Sequence, residues 1–272
     1  MNFKKLNKSL SALALVVGAA SGAGLTYATT ESATEKGFAI AARSDRTDVG
    51  FGDSNVYLKM VLRNAAGQET TRSLYIKTLE KPNEDVGDKS LIVFDKPADI
   101  DGTALLSHAK ILKADNQWLF LPALKRTKRI SSVNKSGPFV GSEFAFEDFT
   151  SLELNKFSYK YIRSEACGDL TCDVVERIPR YEHSGYTKQI SWIDQTAHQV
   201  RRVEYYDRRG DLLKVLTLSE YRLYDDKYWR AHKLSMENMQ TKKHTALIYD
   251  DYVFNTGLGK RDFEKVALRR VR

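Results

Sequence analysis

The sequence predicts a mainly β protein built on one strongly curved antiparallel sheet. Three observations carry that expectation. From about residue 55 onward apolar side chains recur with a period of two, as in Val56, Leu58, Met60 and Leu62 alternating with Tyr57, Lys59, Val61 and Arg63. Turn residues punctuate these runs at regular intervals, with Asp194-Gln195-Thr196, Asp207-Arg208-Arg209-Gly210, Asp225-Asp226 and Thr241-Lys242-Lys243 separating successive segments. The strand and helix alternation that a parallel sheet needs is missing. About a dozen antiparallel strands must either close into a barrel or cover the face of their sheet with something; a plain β-sandwich is the alternative.

The elements follow in order. Lys4, Lys5 and Lys8 precede an uncharged stretch holding the apolar run Leu13 to Val17, and Thr26-Tyr27-Ala28 offers small residues around a cut after Ala28. This reads as a secretory signal peptide over 1–28, leaving a single domain over 29–272. Gly18, Gly22 and Gly24 make a poor membrane anchor, and no Cys stands at the cut to carry acyl chains, so an exported protein without a membrane anchor is expected. Residues 32–43 read as a short helix, with Ser32 as cap and Glu35 three residues later. Strands are expected at 55–63, 70–79, 91–94, 104–112, 117–121, 157–164, 173–178, 186–193, 199–206, 212–223, 230–240 and 245–253, and a short helix over 262–270.

Composition narrows the function. With 42% hydrophobic and 29% charged residues and only five Pro, the chain is neither disordered nor collagenous. The net charge of +8 includes the three leader lysines, so the remainder is mildly basic. The five His show no paired-ligand spacing, and there is no G-x-S-x-G elbow, P-loop or dinucleotide fingerprint. No enzyme, no cofactor and no metal is expected. Export argues against nucleic acid as a partner for the basic clusters. Lys125, Arg126, Lys128 and Arg129 directly follow an apolar strand and read either as a solvated loop or as a patch that docks on anionic headgroups or an acidic protein face. Cys167 and Cys172 flank a four-residue hairpin loop; export permits a disulfide between them, with two free thiols as the alternative.

Two stretches carry a resemblance. Trp118-Leu119-Phe120-Leu121-Pro122-Ala123-Leu124-Lys125-Arg126-Thr127-Lys128-Arg129-Ile130 and Gly141-Ser142-Glu143-Phe144-Ala145-Phe146-Glu147-Asp148-Phe149 resemble the outer membrane lipoprotein-sorting group with a LolA-like fold, and Phe94 to Ala104 is similar to it as well. The resemblance implies an unclosed half-barrel of LolA/LolB type, with a few short helices over its concave face and an apolar cavity for an acyl chain. It implies a monomeric periplasmic carrier of a lipid or lipoprotein cargo toward the outer membrane, working with an inner-membrane exporter of the resistance-nodulation-division type; an accessory subunit with a side-chain-filled barrel is the alternative. The period of two then selects the cavity wall: Leu58, Met60 and Leu62; Leu74 and Ile76; Trp118 and Phe120; Ile190 and Trp192; Val203 and Tyr205; Leu234 and Met236.

Overall fold

Ser32 caps helix α1 (Ala33–Arg46). Its hydroxyl accepts from the Glu35 N–H at 3.2 Å, and the Glu35 carboxylate accepts from the Ser32 N–H at 2.9 Å, closing the box that the sequence predicts. The helix runs three residues past the expected end. The computed structural model describes residues 31–80, 87–111, 113, 115–150 and 153–271, so the signal peptide expected over 1–28 lies outside the described residues.

Fourteen strands follow: β1 (Asp53–Arg63), β2 (Glu69–Leu79), β3 (Lys89–Lys96), β4 (Ala104–His108), β5 (Asn116–Leu121), β6 (Arg126–Ile130), β7 (Phe157–Cys167), β8 (Leu170–Pro179), β9 (Lys188–Asp194), β10 (Val200–Tyr206), β11 (Leu212–Tyr224), β12 (Tyr228–Asn238), β13 (His244–Tyr249) and β14 (Val253–Phe254). They form one antiparallel sheet in the order β6-β5-β4-β3-β2-β1-β13-β12-β11-β10-β9-β8-β7, with the short β14 paired beside β13 on the same edge of β1. Only β1 to β13 is a non-sequential pairing along this path, so the sheet consists of two meanders joined at their ends. Its terminal strands β6 and β7 do not pair with each other: the sheet is an unclosed half-barrel, not a sandwich.

The chain between those two terminal strands supplies the filling. Residues 131–156 form four short 3-10 turns, Ser132–Asn134, Phe139–Gly141, Phe146–Phe149 and Leu154–Lys156. Phe139 and Phe144 of this segment are buried against Leu58, Met60, Leu74, Phe94 and Leu105 on what is therefore the inner face of the sheet. Helix α1 lies across β7 so closely that a Cβ on Gly37 would stand 2.6 Å from the Tyr161 backbone nitrogen, which explains a glycine at mid-helix.

The outer face is also covered. The expected helix over 262–270 is instead two 3-10 pieces, Lys260–Phe263 and Ala267–Arg269, which bury Phe263 and Leu268 completely against Leu91, Val93, Ala104 and Leu106. Half of the sheet is thus apolar on both faces. On such strands the period of two alone does not reveal which phase points inward.

Candidate ligand cavity

The inner face divides into a filled half and an open one. Under β1 to β4 the aromatic rings of residues 131–156 pack down, with Phe94 and Phe139 centroids 5.6 Å apart and Phe139 and Phe149 4.6 Å apart. Under β7 to β12 the same segment stands off the sheet and leaves a cavity of about 610 Å³. Ala41, Ser44 and Asp45 of α1 lie on one wall; Tyr159, Val175, Ile193, Tyr205, Leu216, Leu234 and Tyr249 lie on the sheet side. That volume falls within the range of about 300–1,000 Å³ usual for one small-molecule ligand.

A polar rung runs out of this wall across the sheet, with Arg177, Gln189 and Tyr205 in the cavity lining and Lys214 and Asn238 beyond it. Register places Arg177 opposite Gln189, Gln189 opposite Tyr205, Tyr205 opposite Lys214 and Lys214 opposite Asn238, one residue from each of β8 to β12. Directly opposed residues share a face, so all five side chains point inward. The two ends of the rung are treated differently. Lys214 Nζ meets the Asp148 carboxylate at 2.6 Å and the Glu143 carbonyl at 3.0 Å, both from the filling segment, and Asn238 donates to Glu143 Oε2 at 2.7 Å. Arg177 is only 7% exposed, donates Nε to Gln189 Oε1 at 2.7 Å and lies over the Phe157 ring, without a carboxylate partner among the described residues. Nearby Glu147 accepts from the Gly185 N–H, the Ser184 hydroxyl and the Tyr181 hydroxyl. Burial and the neighbouring Asp148 carboxylate raise its pKa in spite of those donors.

The end near β12 is aromatic and closed by one ion pair. Arg230 meets Asp48 at 2.6 Å and sits among the rings of Phe51, Tyr228, Tyr252 and Phe254, each centroid within 5.8 Å of the guanidinium carbon. The apolar side chains of the sheet can hold an elongated apolar ligand, while Asp45, Glu147, Asp148 and Glu153 add carboxylates to the lining. Among the described residues no group of three or more His, Cys, Asp or Glu side chains is placed to hold a metal.

Measured against this geometry, the expected cavity residues separate into three groups. Tyr205 and Leu234 line the cavity. Leu58, Met60, Leu74, Val203 and Met236 are inward but packed in the filled core, with Leu62 and Ile76 partly buried against it. Trp118 and Phe120 are a correction: they lie on the outer face with Phe263 and Leu268, while Leu119 of β5 packs inward. Ile190 and Trp192 are a second correction, packed outside with Cys172 and Val174, and Gln189, Ser191 and Ile193 form the inner phase of β9. In both strands the bulkier apolar phase covers the outer surface, so choosing the phase by hydrophobicity inverts the register. Nothing in the sequence marks Arg177, Gln189 and Ser191 as inward because they are polar, and on β5 the competing phase is Gln117-Leu119-Leu121.

The basic run is not a loop. Lys125 takes a left-handed turn conformation after Pro122–Leu124, and Arg126–Ile130 is the terminal strand β6. Lys125, Arg126, Lys128 and Arg129 are all exposed, and Arg129 donates to Asn116 at 2.8 Å. Cys167 and Cys172 form a disulfide with Cα atoms 5.8 Å apart. The hairpin is tighter than expected: Gly168 and Asp169 make a two-residue turn, Cys167 pairs with Leu170 and Cys172 with Glu165, so the bridge joins diagonal neighbours on one face.

The antiparallel sheet that does not close into a barrel places the fold in the LolA-like class. A domain described as an outer membrane lipoprotein-sorting protein from Vibrio parahaemolyticus is 48% identical and covers 87% of this chain and 100% of its own, with a TM-score of 0.84. A DUF1329 family protein from Desulfovibrio piger is 27% identical over 87% of this chain and 99% of its own, with a TM-score of 0.82. The LolA superfamily protein NE2245 from Nitrosomonas europaea shares the fold, at 21% identity over 84% of this chain and 97% of its own and a TM-score of 0.67. A family model described only as an uncharacterized protein matches residues 87–270. None of the curated proteins matches the sequence. The chain belongs to the lipoprotein-sorting family of the Vibrio protein and shares its fold with the LolA superfamily.

Proposed function

We propose that the protein is a monomeric periplasmic carrier that holds the acyl chain of a lipid or lipoprotein in the cavity under α1 and delivers it toward the outer membrane. The observation that carries this reading is the incomplete filling of the half-barrel: residues 131–156 pack the β1 to β4 half and leave about 610 Å³ unfilled under β7 to β12. An apolar chain does not cross water unaided, because each methylene exposed costs about 0.8 kcal/mol. A carrier must offer comparable apolar surface and then surrender it, which an unclosed sheet roofed by one short helix permits. Binding rather than catalysis is the role this geometry supports. The exposed cations of β6 are the surface for meeting an acidic face of an inner-membrane exporter or the anionic headgroups beside it.

Native mass spectrometry of the exported protein purified from its host tests the proposal. The expected result is a lipid adduct that organic extraction removes. A rival reading has its own support in the Phe139 and Phe144 packing: an exporter accessory subunit that fills its barrel with side chains. A bare mass from gently purified protein, with no extractable lipid, would favour that rival.

A further inference from the structure

We infer that the open end of the polar rung, Arg177 with Gln189 and Ser191, is a headgroup subsite for a single-chain anionic amphiphile, a fatty carboxylate or a monoacyl phosphate; this rests on the reading of the cavity as an acyl-chain site. Three observations converge. Arg177 is a buried guanidinium in the cavity wall with no carboxylate against it among the described residues, although the molecule supplies one to the other buried cation of the rung, Lys214. Two contacts hold it, the Phe157 ring with its centroid 5.3 Å from the guanidinium carbon and the Gln189 Oε1 acceptor on Nε at 2.7 Å, and neither uses the Nη groups of this cavity-lining residue. Ser191, one inward position along β9 and 2% exposed, has a hydroxyl with no hydrogen-bond partner among the described residues. A buried polar atom left unpaired calls for a partner, and a ligand headgroup beside Arg177 would supply it.

The chemistry of the cluster is that of donors. With its oxygen engaged by Arg177, the Gln189 amide presents N–H groups, and the Ser191 hydroxyl can donate beside them. An oxyanion satisfies all three groups, whereas a neutral alcohol satisfies at most part of them. Of the carboxylates lining the cavity, Asp148 is held by Lys214 and the Tyr186 hydroxyl, Glu147 by three donors and Asp48 by Arg230.

The test is displacement of a neutral naphthylamine dye from the delipidated protein by oleate, oleoyl lysophosphatidate and oleyl alcohol. We expect the two anions to compete roughly ten- to a hundredfold better than the alcohol, as hydrogen bonds to a charged group would give. Whichever anion competes better identifies the headgroup. Arg177→Gln should bring the anions to parity with the alcohol while alcohol binding stays unchanged, and Arg177→Lys should keep most of the anion advantage. If Arg177→Gln fails to fold, Gln189→Leu serves in its place, since freeing the guanidinium should cut the anion advantage several-fold. Equal competition by oleate and oleyl alcohol in the wild type, or an anion advantage that survives these substitutions, overturns the inference and leaves the carrier reading standing. No displacement by any of the three compounds would instead overturn the carrier reading itself.

Discussion

Lys135 shows at the scale of one residue how the filling segment is fastened, and what fastening costs. Its ammonium donates to the backbone carbonyl of Asp115, whose carboxylate is taken by Lys156 at 2.9 Å. Two buried cations thus share one acidic residue. Burial pulls the Lys135 pKa down from 10.5 to about 8, with Asp115 only partly offsetting it and Lys156 adding repulsion. The sign of the linkage follows. Between about pH 8 and 10.5 the unfolded chain keeps this proton and the folded chain gives it up, so unfolding takes up protons and stability rises with pH across that window. Lys135→Met removes the titration. Urea unfolding of both proteins from pH 7.5 to 10 should therefore show the difference between them moving in favour of the wild type as pH rises. A difference that stays flat would mean that Lys135 is solvated in the folded protein.

Elements explain which parts of the molecule could be read from its sequence. Helix α1 and the strands of the second meander were legible because capping and alternation act locally: Ser32 and Glu35 are three apart, and Asp207 to Gly210 turns the chain between two alternating runs. The phase of β5 and β9 was not, since it depends on what covers the outer face. For β5 that cover is Phe263 and Leu268, which lie more than a hundred residues away. Trp118→Ala should accordingly cost about 3–5 kcal/mol, the full price of a packed aromatic, and leave recovered lipid unchanged. Denaturant melts beside lipid extraction would decide, and lipid loss without destabilisation would return Trp118 to the cavity. Strand β6 was illegible for a related reason. Four cations in five residues depress strand propensity, yet suit a terminal strand, where charge discourages pairing with another chain. Reversing Lys125, Arg126, Lys128 and Arg129 to Glu should lower association with anionic liposomes at low salt and spare the fold, an effect that fades as ionic strength rises. Equal sedimentation with liposomes at every salt concentration would leave these cations the protective role alone. On the hairpin at the opposite end of the sheet, alkylation before and after reduction should reveal Cys167 and Cys172 only once reduced. Their replacement by Ser should lower stability by about 2 kcal/mol or less, because the bridged loop is so short.

Across the whole molecule one short segment does two jobs with opposite demands. Residues 131–156 must fill the half-barrel enough to hold it together without a closing strand, and must leave enough space for a ligand. The compromise is spatial: rings on the β1 to β4 side, and a standoff of polar contacts on the β7 to β12 side, where Glu147 and Asp148 reach Tyr181, Ser184, Tyr186 and Lys214 instead of packing. Adding bulk discriminates the two halves better than removing it. Extra methylenes forced into a packed core cost typically about 1–3 kcal/mol, because neighbours must leave their rotamers. In an unfilled cavity the same bulk meets space and buries additional apolar surface. Ala231 and Leu218 both line the open half. The pair of substitutions Ala231→Leu and Leu218→Phe should therefore leave the urea midpoint unchanged or raise it, while the lipid recovered from the exported protein falls. A matching enlargement in the filled half, Leu105→Phe beside the fully buried Phe139, should be destabilising and leave lipid recovery alone. If the double variant instead unfolds earlier and carries no less lipid, the space under β7 to β12 is closed in solution and the ligand is held elsewhere.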